Sequence, residues 1–146
     1  MKAIAEIIDG NCLVRATSSE NIRDVARRMT ERNVGAVAVL DGEKLVGMFT
    51  ERDLMTRAVA KDLDLDRTGI GVVMTRELTT ASPEESVTEC LQKMHKLNCR
   101  HLPVVDQGTL VGMISLRDLL QVDNQEARHR AKLLGELVTY SPDYES

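Results

Sequence analysis

Aromatic residues are almost missing from this chain of 146 residues, which has one Phe, two Tyr and no Trp. It also has no excess of positive charge, because 19 basic residues stand against 23 acidic ones and the net charge is −4. Proteins that bind nucleic acid need basic groups for the phosphates, and those that bind single strands stack the bases on aromatic rings. The composition therefore argues against nucleic acid as a partner.

The chain also lacks a long apolar run. Near the amino terminus the apolar residues are interrupted by Glu6 and by Asp9-Gly10, so neither a signal peptide nor a membrane span is predicted. The three cysteines, Cys12, Cys90 and Cys99, are odd in number and too far apart for a C-x-x-C pair, which disfavours a disulfide framework. We expect no membrane partner, reduced thiols and a cytoplasmic location.

Sequence motifs of catalysis are missing as well. The chain contains no Gly-x-Ser-x-Gly elbow, no Walker loop and no HExxH zinc motif. Ser115, His101 and Asp118 include the residue types of a catalytic triad, but nothing in their spacing promises a nucleophile activated by an oriented base. We expect a protein that is not an enzyme and has no catalytic cofactor.

One acidic segment is similar to a calcium-binding loop but fails the pattern. Asp62, Asp64 and Asp66 alternate as in an EF-hand. Such a loop needs glycine at its sixth position and glutamate at its twelfth, where this chain has Arg67 and Val73. We therefore expect a polar connector and no metal site.

The dominant feature that is present is an internal repeat. The stretch Leu45–Leu54, LVGMFTERDL, returns 65 residues later as Leu110–Leu119, LVGMISLRDL. The same offset, without a gap, superposes five further pairs of identical residues: Glu20 and Glu85, Met29 and Met94, Asn33 and Asn98, Val39 and Val104, Asp41 and Asp106. Two equivalent halves are predicted, residues 1–68 and 69–122, followed by a tail, residues 123–146.

Hydrophobic periodicity and turn residues predict the order α-β-α-β-β-α in each half. In the first half we expect a strand at Cys12–Ala16, helix capping by the Thr17–Glu20 segment and an amphipathic helix through Met29. Strands at Val37–Leu40 and Lys44–Phe49 and a helix at Glu51–Ala60 should follow.

In the second half we expect a short helix at Ile70–Met74, a strand at Leu78–Ala81, and capping by Ser82 with Pro83 at the first helical position. The next helix should bury a stripe of Val87, Cys90, Leu91, Met94 and Leu97, and strands at Leu102–Val105 and Thr109–Ile114 should follow it.

The tail is charged and has the composition of a helix. Ala127, Ala131, Leu134 and Val138 fall on one stripe. We expect a helix at Asn124–Val138 that packs on the body of the protein or on a partner chain.

Each repeated stretch ends in a hydroxyl residue followed three positions later by aspartate, Thr50 with Asp53 and Ser115 with Asp118. This spacing is typical of a capping box, which satisfies the free N–H groups of a helix start. The same groups suit a ligand, since a carboxylate can accept bonds from two ribose hydroxyls and a helix start attracts phosphate. The spacing alone leaves both interpretations open.

Each of the two ungapped repeats contains a helix, a Val-Ala-Val-Leu-Asp or Pro-Val-Val-Asp hairpin, and a Gly-apolar-apolar-Thr/Ser-x-x-Asp segment before a final helix. Together the two repeats resemble a tandem pair of cystathionine-β-synthase (CBS) domains. The resemblance covers residues 12–122. It implies an α/β fold of two repeats that pack sheet to sheet about a pseudo-twofold axis. It also implies a regulatory role, with an adenosine ligand such as AMP, ADP, ATP, S-adenosylmethionine or NAD as effector and with an unidentified regulated protein as partner.

The resemblance also implies the residues of two ligand clefts, each combining the Thr/Ser-x-x-Asp of one repeat with the first strand and hairpin start of the other. One cleft would contain Thr50, Asp53, Thr80, Cys99, Arg100 and His101. The other would contain Ser115, Asp118, Val14, Arg15, Val34, Gly35 and Ala36.

The two clefts would differ in charge, because Arg100 and His101 stand where the other repeat has Gly35 and Ala36. A phosphate would then prefer the Asp53 cleft, with Arg15 as partial compensation in the other. The matching residues Arg52 and Arg117 are interpreted as solvent or dimer contacts, with contact to phosphate as the less favoured alternative.

Assembly is the last expectation. CBS pairs commonly associate through the helices that follow each aspartate, so the resemblance implies a homodimer in which apolar residues of these helices are partly exposed: Leu54, Met55, Val59, Leu119, Leu120 and Val122. A dimerisation module that binds no nucleotide would explain the repeat equally well and stays open as the alternative function.

Overall fold

Each half of the chain folds into a helix, a β-hairpin and a second helix. The computed structural model describes residues 3–8 and 13–135. The elements of the first half are α1 (Ile4–Ile8), β1 (Arg15–Ala16), α2 (Ile22–Arg32), β2 (Ala36–Asp41), β3 (Lys44–Thr50), α3 (Glu51–Asp53) and a π-helix (Leu54–Val59). Those of the second half are a 3₁₀ turn (Ile70–Val72), α4 (Val87–Leu97), β4 (His101–Asp106), β5 (Thr109–Ser115) and α5 (Leu116–Gly135).

The two hairpins repeat each other down to an irregularity. In the first sheet β1 pairs parallel with β2, and β2 pairs antiparallel with β3. The second sheet is the antiparallel pair of β4 and β5. The register shifts between Val39 and Leu40 in β2, and again between Val104 and Val105 in β4. Because these positions are 65 residues apart, the repeat extends to the local bend of the strands.

The helices that precede the hairpins also begin and end alike. Asn21 caps α2 and Ser86 caps α4, each accepting a bond from the backbone N–H three residues later. Both helices end at an asparagine in the left-handed region, Asn33 with φ 54° and Asn98 with φ 51°. The expected capping by Thr17–Glu20 and by Ser82 is therefore wrong.

The glutamates of those two segments serve a different purpose. Glu20 accepts bonds from the Thr17 N–H and from Arg28, which also donates to the Arg15 carbonyl. In the second half Glu85, Ser82, Lys93 and the Thr80 carbonyl form the same set of contacts. These contacts tie the segment before each helix to the side of that helix. The hydrogen bond from Arg28 also lowers the pKa of Glu20.

The core of each half is completed by a segment from the other half of the same chain. We call these two segments, α1 and residues 70–74, the exchanged segments. The 3₁₀ turn of the second half buries Ile70, with Val73 and Met74 after it, in the core that surrounds Phe49 in the first half. In return, α1 buries Ile4 in the core of the second half. The backbone bonds match, because Ile70 donates to Glu20 and Ile4 donates to Glu85.

A third apolar cluster joins the two sheets. It contains Ala38 and Leu40 of β2 and Leu110 of β5, all buried, with Leu13, Leu45, Val105 and Met113 partly buried against them. The α/β fold of two repeats that pack sheet to sheet with pseudo-twofold symmetry is therefore confirmed.

Several local expectations differ from the structure. The segment Leu78–Ala81 is not a strand, because it makes only one bridge, from Ala81 to Val104, while Lys93 takes the Thr80 carbonyl. Leu97 is 48% exposed, outside the buried stripe of α4.

The helices after the aspartates also differ from expectation. The helix at Leu54–Val59 has π geometry rather than α. The tail helix is not separate, since α5 runs unbroken from Leu116 to Gly135. Leu134 is 62% exposed rather than packed on the body, and Val138 lies outside the described residues.

Candidate functional site

A cavity of about 980 Å³ opens between the two halves. Its walls come from the end of α2 and the start of β2, from the start of β4, and from the first two turns of α5. The lining residues are Val14, Arg32, Asn33, Val34, Gly35, Ala36, Glu51, Arg100, His101, Met113, Ser115, Leu116, Arg117, Asp118, Leu120, Gln121 and Asn124. The volume is in the range of sites that hold a drug-sized ligand.

The cavity lies at the pseudo-twofold axis. Gly35 and Arg100 are 65 residues apart, as are Ala36 and His101, and both pairs line it. The halves approach closely here, since a Cβ on Gly35 would stand 3.3 Å from His101 Cε1 and 3.2 Å from Glu51 Oε1. A side chain at position 35 would therefore crowd the Glu51 and His101 side chains in the cavity wall.

Ser115 and Asp118 form one end of the cavity at the start of α5. The Ser115 hydroxyl accepts a bond from the Asp118 N–H at 3.1 Å, and the Asp118 carboxylate accepts one from the Ser115 N–H at 3.1 Å. This is a capping box. Asp118 nevertheless remains partly exposed and faces the cavity, so its capping contact does not remove it from the wall.

Asp53 forms the same capping box with Thr50 but lies in different surroundings. Its residue exposure is only 5%. Its carboxylate accepts bonds from the Thr50 N–H and from the Thr75 hydroxyl, and Arg57 lies 3.7 Å away. Thr50 and Asp53 do not line the cavity described above.

Arg100 and His101, which were expected in a cleft with Asp53, line the cavity that contains Asp118. The reason is that β4 begins at the pseudo-twofold axis, beside Gly35, and the cavity extends from there toward α5. Of the residues expected with Asp118, Ser115, Val14, Val34, Gly35 and Ala36 do line the same cavity.

Three other expected residues lie outside the cavity. Arg15 is exposed on β1, and its carbonyl is bonded to Arg28. The Thr80 carbonyl is bonded to Lys93. Cys99 packs against the core of the second half, where burial raises the pKa of its thiol.

Three arginines line the cavity and give its wall positive charge: Arg32, Arg100 and Arg117. Within the described residues, neither Arg100 nor Arg117 has a side-chain hydrogen bond or ion pair. Arg52, the counterpart of Arg117, instead donates to the Asn98 carbonyl at 3.2 Å. Arg52 is exposed to solvent, as the sequence led us to expect, whereas Arg117 is exposed and lines the cavity.

The sequence interpretation left several lining residues out of the site. Arg32 and Asn33 lie at the end of α2, directly before the expected Val34, and Gln121 and Asn124 lie one turn apart on α5. Helical spacing after Asp118 could have indicated Gln121, since residues three apart share a face. Nothing in the local pattern distinguishes Arg32 from the other basic residues of α2.

His101 is the titratable ring at the centre of the site. Burial lowers its pKa below the usual 6.5, and the nearby Arg100 acts in the same direction. Glu51 and Asp118 oppose this shift because their negative charges favour the imidazolium. Burial is the largest of these effects, so His101 is mainly neutral at pH 7.

Other chemistry finds little support in the described part of the chain. Residues 3–8 and 13–135 contain no group of three or more His, Cys, Asp or Glu side chains placed to hold a metal ion. Cys90 is a free thiol in the core, and burial raises its pKa to about 11. Among the described helices, none is both long and apolar enough to cross a membrane.

Comparisons with known proteins agree with the repeat. The CBS domain family model matches residues 12–60 and 70–124. The CBS domain-containing protein YhcV of Bacillus subtilis is 39% identical over 116 residues, which cover 77% of this chain and 82% of YhcV.

Two similar solved structures contain ligands. A CBS domain protein from Pyrobaculum aerophilum complexed with AMP has a TM-score of 0.72 and 30% identity, over 80% of this chain and 89% of that one. The CBS domain pair of protein MJ0100, in complex with 5′-methylthioadenosine and S-adenosyl-L-methionine, has a TM-score of 0.77 and 27% identity, over 86% and 98%. With two matched domains, one in each half, this chain belongs to the CBS domain family.

Proposed function

We propose that this CBS pair is a regulatory module that binds an adenosine-containing ligand in the cavity at Ser115 and Asp118. The observation that carries the proposal is the cavity itself, which brings the partly exposed Asp118 carboxylate, a helix start and the arginines Arg100 and Arg117 to one space between the halves. The AMP, methylthioadenosine and S-adenosylmethionine complexes of structural neighbours support an adenosine ligand.

Asp118 is the proposed partner of the ribose. A carboxylate can accept hydrogen bonds from both ribose hydroxyls, and each bond to a charged group contributes about 1.5–3 kcal/mol. The apolar wall residues Val14, Val34 and Met113 offer contact for an adenine ring. The wall therefore contains both the polar and the apolar groups that a nucleoside requires.

The charge of the wall favours a phosphorylated ligand. Arg100 and Arg117 can each donate to phosphate oxygens, and guanidinium groups bind phosphate in a bidentate way. S-adenosylmethionine carries a positive sulfonium, which the same arginines would repel. We therefore propose a phosphorylated adenosine ligand, such as AMP, ADP, ATP or NAD, ahead of S-adenosylmethionine.

A thermal-shift panel tests the proposal. A ligand at 100 times its Kd stabilises by about 2.7 kcal/mol, which for a chain of this length raises Tm by roughly 5–10 °C. AMP, ADP and ATP should do so, while adenosine and S-adenosylmethionine should need higher concentrations. Arg100→Gln and Arg117→Gln should each weaken AMP about tenfold and leave adenosine unchanged. A panel in which no adenosine compound raises Tm would remove the proposal.

Ligand binding regulates by linkage, because a ligand that fits one arrangement of the two halves better than another shifts the equilibrium between them. We propose that a second copy of this chain and an unidentified regulated protein respond to that shift.

A second candidate function is dimerisation without nucleotide. It is favoured by apolar side chains that are exposed on the helices after the aspartates, with exposed fractions of 62% for Met55, 55% for Val59 and 50% for Leu120. An unchanged Tm together with a stable dimer would select it.

A further inference from the structure

Asp53 is held from several sides by groups of its own chain. Both oxygens of its carboxylate lie 3.1 Å from the Thr75 hydroxyl. One of them also accepts the Thr50 N–H at 3.0 Å, and the other lies 3.7 Å from Arg57 Nε. With 5% of the residue exposed, a ribose could reach this carboxylate only after these contacts were broken.

The hydroxyl that holds Asp53 is itself fixed in place. Thr75 exchanges two backbone hydrogen bonds with Met48 of β3, at 2.8 and 2.9 Å. Arg57 donates to the carbonyl of Met74, the residue before Thr75, at 3.1 Å. The segment passes so close to β3 that a Cβ on Gly47 would stand 3.0 Å from the Thr75 carbonyl oxygen. Thr75 is thus bonded to the edge of the sheet at β3, in a position from which its hydroxyl contacts Asp53.

The matching aspartate of the other half lies in different surroundings. Asp118 is partly exposed and lines the cavity, whereas Asp53 is buried and does not line it.

We infer that Thr75 fixes Asp53 as a structural carboxylate, so that Asp118 alone of the two repeated aspartates serves a ligand and each chain holds one. The second half of this inference rests on the function proposed above. Thr75 is a specificity-determining residue in this sense, because its hydroxyl occupies the oxygens that a ribose would need.

Urea unfolding tests the contact without any ligand. Thr75→Val and Asp53→Ala should each lower the urea midpoint, and the double variant should be no less stable than Asp53→Ala alone, because both changes remove the same bond. Thr75→Ser keeps the hydroxyl and should stay close to the wild type. Additive midpoint losses in the double variant would overturn the assignment of Thr75.

Calorimetry with AMP tests the ligand part. The wild type should bind one AMP per chain, Asp53→Asn should keep this stoichiometry with a Kd within about threefold, and the matched variant Asp118→Asn should bind about tenfold more weakly. Two AMP molecules per wild-type chain, or equal losses in the two variants, would overturn the inference. Absence of AMP binding to the wild type would instead contradict the proposed function, and the urea midpoints would still decide whether Thr75 holds Asp53.

Discussion

Asp53 and Asp118 occupy the same position of one motif and make the same capping contact, but their neighbours give them different chemistry. Asp53 is enclosed by Thr75 and Arg57, and Asp118 faces a cavity. The capping box therefore does not decide whether a carboxylate is available to a ligand. The residues that approach from other parts of the chain decide it.

His101 should make the stability of the protein depend on pH. Its pKa is lowered in the folded state, so the unfolded state binds the proton more readily. The stabilisation is fully present above about pH 6.5, the pKa of an unperturbed histidine, and is lost as the pH falls below that value toward the folded pKa. We expect the urea midpoint of the wild type to fall more steeply below pH 6.5 than that of His101→Gln. Parallel slopes would contradict this role of His101.

At the scale of elements, the exchanged segments make the two halves depend on each other. Ile4 completes the core of the second half, and Ile70 that of the first. Each segment passes over a glycine of a β-strand, Gly47 in β3 and Gly112 in β5. The repeated glycines of the sequence are therefore explained by close packing of the exchanged segments, not by turns.

Gly47→Ala should be more destabilising than Gly112→Ala. At position 47 the added Cβ would stand 2.6 Å from Met74 Sδ and 3.0 Å from the Thr75 carbonyl oxygen, whereas at position 112 the nearest atoms belong to the Ile8 side chain, at 3.2 Å or more. Overpacking of this kind costs about 1–3 kcal/mol. Urea unfolding should place Gly47→Ala in this range and Gly112→Ala below it. The reverse order would show that the first segment yields more easily than the structure indicates.

The sequence predicted the positions of the helices and strands better than the contacts between distant parts of the chain. Apolar periodicity located α2, α4 and both hairpins, because local burial patterns reflect local structure. It misplaced the helix caps at Asn21 and Ser86, since several hydroxyl and amide residues stand together there. It also could not show the exchange of segments, the Thr75 contact or the cavity position of Arg100, because these depend on contacts between residues distant in sequence.

At the scale of the whole molecule, the helices that follow the aspartates carry exposed apolar side chains. Met55 and Val59 lie one turn apart on the π-helix, and Leu120 lies on α5. Leu119 does not belong to this surface, contrary to expectation, because it is fully buried in the second core. Leu54 and Val122 are half-buried.

We expect these side chains to be covered in a homodimer. Sedimentation at tens of micromolar should show a species of twice the 16.2 kDa chain mass, and Met55→Glu should shift it toward the monomer because burial of an unpaired charge is unfavourable. Val72→Glu is the matched control, since Val72 is 73% exposed but lies outside these helices. A wild type that sediments only as a monomer would refute the dimer.

The account depends most on Asp118 as the carboxylate that binds a nucleotide. Calorimetric titration of AMP into the wild type and into Asp118→Ala tests it directly. Loss of charged hydrogen bonds worth about 1.5–3 kcal/mol each predicts that the variant binds AMP roughly ten- to a hundredfold more weakly, while its urea midpoint shows that it remains folded. Equal affinity of a folded Asp118→Ala variant and the wild type would contradict the account and leave Asp118 as a helix cap alone.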